Sequence, residues 1–590
     1  MDKSRRNATR LSALVAGLAL YACFWGLGET TPGLSIRFVA PFTNSNAGEL
    51  QFWLGMSLML VPSGALLGYA LHAPIWEIFQ RLRRAISAID SRRRLLALAA
   101  LFLVAVAAAR IGRSIFLLDY PITDDEYAAR FGGQILAMGK ATVPAFEPLS
   151  ALPNRFLFLH DGKLSAFDWP GVQLAWALSE LTRSGPWVFA LSAGLAALFV
   201  AMAVGHRLGR GWAAIAAALS LLSPMMLTLS FSSHAHLLSR GLLAVAIWAY
   251  VLATQRRGPA WWIATGLALG AAFVCRPMEI ACLVSPLLVD LVVSAVRGGR
   301  AARQGLGALI AGAIGPLLAF AVFNWALTGN ALLPARFATN PLLGDGWSRP
   351  FAFFTDPALL WHRFGANTSH NLLMLVIWFA GPVGAALAIA GWSTDRFTRL
   401  LGLGILCNLL LGLLHSNFGL HLVGPLHYSE CAVPLIILAV HGMARLKRWC
   451  EERSVSLPAL CGIATGAMVL SLGTFTLWQC FALRGQATLQ NDIYGFLESA
   501  GLKNAVVLAP RYATLWQNAA SDYPRIGSFV YEWRRPKPDW SEEVLILHDA
   551  QGAALEALRT RFPTRSFYRL SATRQAPYMQ LQKLGVVAAK

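Results

Sequence analysis

The chain has 590 residues, of which 56% are hydrophobic and only 14% charged. A soluble globular chain carries about 25% charged residues, so this composition excludes that class and reads as a polytopic membrane protein. The net charge of +20 then belongs to cytoplasmic loops facing an anionic membrane surface, and no nucleic-acid partner is expected.

Spanning a bilayer takes roughly 17–25 apolar residues. Candidate runs fall at 11–28, 52–72, 95–118, 186–206, 212–230, 237–254, 260–275, 278–296, 305–327, 371–391, 400–414, 430–446 and 458–480, or about thirteen helices. The first run follows Met1-Asp-Lys-Ser-Arg-Arg6 without a small-residue cleavage pattern, so it reads as a membrane helix with a cytoplasmic N-terminus. With that start, the cytoplasmic turns are Arg81–Arg94, His206–Gly211, Gln255–Gly258, Arg297–Arg303, Ser393–Arg399 and Arg445–Arg453. Almost all are rich in Arg, as positive-inside orientation requires.

The opposite side receives Glu29–Gln51, Asp119–Pro186, the turns Phe231–His236 and Arg276-Pro277, Asn324–Asn371, His415–Ser429 and everything after Cys480. The stretch Gly171–Leu178 is too short to span and is expected to lie along the interface, with Trp169, Trp176 and Trp187 as an interfacial belt. Beyond about Arg484 the composition changes. Asn504–Pro510 and Glu543–His548 read as strands, and Asp549–Arg561 as an amphipathic helix. The expected division is two N-terminal helices with a basic loop (1–94), a transmembrane module (95–480) and a small extracytoplasmic α/β domain (481–590). None of the eight cysteines has a CxxC spacing, so neither a disulfide framework nor a structural zinc site is expected.

Acids are scarce, and three of the 30 stand together at Asp124, Asp125 and Glu126, just past an apolar run. Carboxylates at a membrane boundary are costly unless they act, as a base or as metal ligands. Arg276, in an outer turn between two apolar runs, needs an anionic partner or a route to the lipid headgroups. Arg240 shares a helix face with His236 and can serve the same anion or a packing ion pair. His234 and His236 suit hydrogen bonds to phosphate, or a metal shared with the acids. On a helix, however, such a pair does not turn both rings one way, which counts against the metal. His415, His421 and His427 crowd another outer loop, where protonation would aid phosphate binding.

Ordered motifs from about Leu95 to Gly442 resemble the GT-C superfamily of bacterial glycosyltransferases. That superfamily includes protein O-mannosyltransferases and the aminoarabinose transferase of lipid A. The motifs are Asp124-Asp-Glu-Tyr-Ala128 with Gln134–Lys140, Asp161-Gly-Lys163 with Asp168-Trp-Pro-Gly171, Ser233-His234, Arg276-Pro277, Asn324-Trp-Ala-Leu-Thr-Gly329, and Gly424-Pro425 with Tyr428 and Glu430. The resemblance implies a GT-C-type helical membrane fold and inverting transfer of a monosaccharide from a polyprenyl-phosphate carrier. The acceptor would be an envelope glycan, glycolipid or protein at the outer face of the bacterial inner membrane. It makes Asp124 or Asp125 the base, with Asp124 ahead, and Glu126 a residue that orients the base or meets the acceptor. Donor phosphate falls to Arg276, Arg240, His234 and His427, and substrate contacts to Tyr127, Lys163, Asp168, Tyr428 and Glu430. No cofactor is named, and a divalent metal stays open.

Two departures stand out. Leu426 occupies the place of the family's usual Arg in Gly424-Pro-Leu-His-Tyr428, and Asp168-Trp-Pro-Gly171 adds an acid to a segment that usually has none. The rival readings are a flippase for lipid-linked sugar and a non-catalytic envelope-assembly subunit. A flippase would show repeat-related halves and charges deep in its helices.

Overall fold

The computed structural model describes residues 3–30, 55–256, 258–342, 357–414, 420–421, 423–511, 533–572 and 578–585. Each of the thirteen apolar runs falls on helix in its described part. They are α1 (Lys3–Thr30), α2 (Val61–Ala70), α4 (Ser91–Phe116), α7 (Trp187–Leu208), α8 (Arg210–Leu222), α9 (Ala235–Arg256), α10 (Pro259–Cys275), α11 (Pro277–Val296), α12 (Arg300–Thr328), α13 (Pro357–Trp392), α14 (Arg396–Leu414), α15 (Ala432–Arg453) and α16 (Leu457–Ser499). Among the described residues nine helices are long and apolar enough to cross a membrane, or up to eleven with the two bent pairs counted as spans. The 17-residue α10 is a shorter apolar helix beside them.

One bent pair joins α2 to the amphipathic α3 (His72–Ser87) at 77°. The α2 helix is held on α16 by four glycines. A Cβ on Gly68 would stand 2.0 Å from the Gly462 carbonyl oxygen, and one on Gly466 would stand 2.1 Å from that of Gly64. Only hydrogen side chains let these backbones approach, as in the small-xxx-small crossings of membrane helices. In α13 the helical path breaks at Ala380 and Gly381, just before Pro382.

The first segment expected on the outer side, residues 119–186, is built rather than irregular. It contains α5 (Asp124–Ala137), a three-stranded antiparallel sheet of β1 (Val143–Pro144), β2 (Leu157–His160) and a central β3 (Lys163–Ala166), and α6 (Pro170–Thr182). Leu174, Leu178 and Leu181 form an exposed apolar row on α6, which suits the expected interfacial position. The aromatic belt is corrected: Trp187 is exposed, but Trp169 and Trp176 are buried. Trp176 packs on Phe189 and Trp169 lies near Phe320 and Phe337, so their rings join elements of the fold.

α16 runs unbroken through residue 480 to Ser499. Beyond it, β6 (Ala505–Ala509), β7 (Val544–His548), α17 (Gly552–Arg561), β8 (Ser566–Ala572) and β9 (Met579–Lys583) form a sheet of order β7-β6-β8-β9. β6 pairs parallel with β7 and β8, and β9 is antiparallel to β8. Successive β6 side chains enter different cores. Val506 and Leu508 join Phe131, Phe146 and Phe158 of the 119–186 segment, and Val507 and Ala509 join Leu489, Ile493 and Tyr494 of α16. A sheet buried on both faces explains the continuous apolar run at Ala505–Ala509. It also fastens the tail to the segment that carries the acid cluster.

Candidate active site

α5 starts at Asp124 behind the N-cap Thr123, so all three acids occupy its first turn, where the helix dipole favours them. They do not share one environment. Glu126 is buried, and both its oxygens are engaged. Oε2 accepts from the Ile122 amide at 2.7 Å, and Oε1 accepts from the Ser233 amide and hydroxyl at 2.6 Å each. Arg113 Nη1 lies 3.7 Å away. Burial opposes ionisation of Glu126, but His234, Arg113, Ser233 and the Ile122 amide together hold its carboxyl below the usual range. It is therefore no solvated loop acid. It ties the start of α5 to the turn before α9.

Asp124 is also buried and meets Arg155 at 3.5 Å. Asp125 is half-buried, and its charge acts on Asp168 and Arg336. Asp168 accepts a hydrogen bond from the Trp169 amide at 2.8 Å and lies 3.8 Å from Arg336 Nη1. Burial pushes the Asp168 carboxyl up. Arg336 and Arg276 oppose that shift, and Asp125 adds to it. Gly171 makes this meeting possible: a Cβ there would lie 2.4 Å from Cys275 Sγ. The Asp168-Trp-Pro-Gly171 segment thus seats its turn against the end of α10, whose next residue is Arg276.

Arg276 is 7% exposed and donates through Nη2 to Glu279, one turn along α11. The charges of Glu430 and Asp168 also act on it. Glu430 is fully buried. It accepts a hydrogen bond from Ser239, and His236 Nδ1 lies 3.1 Å from its Oε1. The half-buried His427 stacks on His236 with ring centroids 6.1 Å apart. Asp125, Asp168, Arg336, Arg276, Glu279 and Glu430 thus form one chain of charged groups, with the His236 ring against its far end, across α5, the turn before α6, the turn at Ala335–Phe337, the start of α11 and the turn before α15.

Arg240 borders the charge chain through Glu430, on which its charge acts, and donates to the Ser429 hydroxyl at 3.4 Å; it also donates to the Met225 and Met226 carbonyls at 2.8 and 3.0 Å, beside the break that follows α8. His234 Nε2 lies 2.9 Å from the Thr123 hydroxyl. These two side chains fasten turns to helices. Tyr127 is buried and hydrogen-bonds Tyr494 of α16. Tyr428 is buried at 1% exposure, and Lys163 is exposed on β3, outside the charge chain. His415 and the His421 side chain lie outside the described residues. Among the described residues, no three His, Cys, Asp or Glu side chains converge as metal ligands.

Sequence reasoning missed Arg336 and Glu279. Arg336 packs over the rings of Phe167 and Trp169, at 4.8 and 5.8 Å, as a cation–π clamp. Its signal was a lone Arg in an apolar stretch soon after Asn324-Trp-Ala-Leu-Thr-Gly329. Glu279 stands three residues from Arg276, which is helix-neighbour spacing.

Residues 173–325 match the family model described as dolichyl-phosphate-mannose-protein mannosyltransferase. Among solved structures, ArnT from Cupriavidus metallidurans bound to undecaprenyl phosphate aligns with 85% of this chain and 100% of its own, at 12% identity and a TM-score of 0.50. The Archaeoglobus fulgidus oligosaccharyltransferase in complex with Zn and sulfate aligns with 65% of this chain and 53% of its own, at 16% identity and a TM-score of 0.42. No curated protein sequence matches the chain. The chain shares its overall fold with ArnT and, by its apolar helices, is a multi-pass membrane protein.

Proposed function

We propose that the protein is an inverting glycosyltransferase that moves a monosaccharide from a polyprenyl-phosphate carrier to an envelope glycan, glycolipid or protein. It works at the outer face of the bacterial inner membrane. The observation that carries this reading is the convergence of the buried Arg276 and the half-buried Arg336 with the half-buried Asp125. A phosphate leaving group departs with the bonding electron pair and needs positive charge, not an acid. The acceptor hydroxyl needs a base as it attacks the sugar's anomeric carbon. In this reading Asp125 takes that proton, while Arg276 and Arg336 receive the departing phosphate through charge-assisted hydrogen bonds. Asp124 and Glu126 hold the helix that presents Asp125. The resemblance to ArnT, whose structure holds undecaprenyl phosphate, supports a lipid-linked donor.

The test is transfer of labelled sugar from a purified polyprenyl-phosphate donor to membrane acceptors by the full-length protein in nanodiscs. The expected result is transfer that Arg276→Ala reduces mainly through the donor KM. A lost charge-assisted hydrogen bond is worth roughly 1.5–3 kcal/mol, or about ten- to a hundredfold. Donor movement across the bilayer without transfer would replace this reading with a flippase.

A further inference from the structure

The phosphate site of the proposed function has an unusual ground state, and the inference drawn from it rests on that proposal. Both arginines already hold a carboxylate: Arg276 donates to Glu279, and Arg336 faces Asp168 at 3.8 Å. A phosphate placed beside two cations that are already paired is repelled by both carboxylates, so its binding favours loosening one of these pairs. The two pairs are not equivalent. Glu279 and Arg276 lie one turn apart and share a direct hydrogen bond. The Asp168 contact is longer than a hydrogen bond, and one of its oxygens already accepts from the Trp169 amide.

Arg336 does not depend on Asp168 for its position. Phe167 and Trp169 hold the guanidinium by its faces, so it keeps its place when the carboxylate lets go. Arg276 also keeps a donor in reserve: its Nε is buried without a hydrogen-bond partner among the described residues. Buried donors of this kind are rare and call for a ligand or a water.

We propose that Asp168 is a placeholder for the carrier phosphate. It neutralises Arg336 in the empty site, and an incoming phosphate displaces it. Once displaced, Asp168 faces Asp125 on α5, Arg276 at the α10–α11 turn and the Cys275 thiol at the end of α10. Its nearest cation is then occupied by phosphate, so Asp168 takes up a proton from solvent. Its carboxyl already sits above the usual range because of burial. Asp168 thereby holds down affinity for the product, the sugar-free carrier phosphate, and aids its release. The acid that departs from the family's usual segment becomes a determinant of turnover.

The experiment is calorimetric binding of farnesyl phosphate, a soluble carrier analogue, to the full-length protein in detergent, in two buffers of different ionisation enthalpy. Asp168→Asn is expected to bind roughly tenfold more tightly than the wild type, the scale of one freed charge-assisted hydrogen bond. The phosphate's own ionisation contributes alike in both proteins, and wild type takes up one proton more on binding than Asp168→Asn. Asp168→Ser keeps an acceptor for the Trp169 amide and is expected to shift affinity the same way if the Asn variant fails to fold. If Arg276→Gln and Arg336→Gln each weaken binding but neither Asp168 variant tightens it, the placeholder is overturned and the phosphate site stands. If neither Arg variant changes binding, the phosphate site itself falls, and the placeholder with it.

Discussion

Arg155 ties Asp124 to the tail: its Nε lies 3.5 Å from Asp124 Oδ2, and its carbonyl oxygen accepts a hydrogen bond from Arg535. Neighbours on a helix point about 100° apart, so Asp125 faces Asp168 and Arg336 instead. The two adjacent acids thus have separable work. Asp124 joins α5 to Arg155 in the stretch between β1 and β2, and through it to the tail, and Asp125 faces the arginines.

Asp125→Asn keeps the shape of the side chain and removes the base. Sugar transfer is expected to fall about 10²–10⁴-fold, with carrier binding retained. Asp124→Asn is expected to be milder, and Arg155→Gln to resemble it, because both loosen the same contact. Turnover and farnesyl phosphate affinity, measured on the three purified variants, separate these outcomes. Equal losses in Asp124→Asn and Asp125→Asn would remove the distinction, and near-normal transfer by both would remove the acids from the mechanism.

Glu126 gives a stability prediction with a definite sign. Its folded carboxyl lies below the ordinary value of 4.5. The ionised form therefore stabilises the fold above that value, and the contribution is lost as pH falls through the lowered folded value. Glu126→Gln is expected to lower stability at pH 7 by about 2 kcal/mol, since charged hydrogen bonds to Ser233 and Ile122 become neutral ones. The deficit should shrink as pH falls from about 4.5 toward the lowered folded value, because the unfolded carboxyl takes up its proton before the folded one. Thermal unfolding in nanodiscs at pH 7 and pH 4 checks this, and a deficit independent of pH would show that the charge is not what stabilises the turn.

The sequence made the membrane helices legible because an apolar run of spanning length has few alternatives. Each of the thirteen runs carries helix in its described part, although only nine to eleven among the described residues qualify as spans and the run 212–230 bends by 67° at Ser223; the tail strands at Ala505–Ala509 and Val544–His548 lay within a residue or two of where the apolar pattern put them. β8 and β9 were missed. Their polar residues interrupt the apolar pattern, as in Ser566–Ala572 and Met579–Lys583, so no continuous run marks them. The site was legible as a list of residues but not as an arrangement. Arg240, His234 and Arg276 all looked like phosphate ligands, because an Arg or His at an outer helix end has the same sequence signature whatever it touches. Burial of Arg240 against two backbone carbonyls is a tertiary fact that helical spacing cannot express. Arg336 went unnoticed because its aromatic partners Phe167 and Trp169 lie about 170 residues away along the chain.

Tyr494 is where the tail, α16 and the acid helix meet. Its hydroxyl accepts from the Arg534 amide at 3.0 Å and hydrogen-bonds Tyr127. Its ring stacks on Tyr120 at 5.6 Å and meets Trp533 edge-on at 5.8 Å. Tyr494→Phe keeps the ring packing and deletes only the hydroxyl. The Arg534 amide and the Tyr127 hydroxyl then lose that partner, at a cost of roughly 0.5–1.5 kcal/mol, the net worth of an ordinary hydrogen bond. The expected result is a lower unfolding temperature together with slower transfer at unchanged farnesyl phosphate affinity, because Tyr127 sits two residues beyond Asp125 on α5 and the phosphate arginines do not touch Tyr494. A merely structural role for Tyr494 would lower the unfolding temperature and leave kcat of the folded fraction intact. The decisive measurement is therefore kcat normalised to folded protein by ligand-binding sites. A normalised kcat equal to the wild type would make the tail a stabilising appendage, with no part in aligning the acid helix.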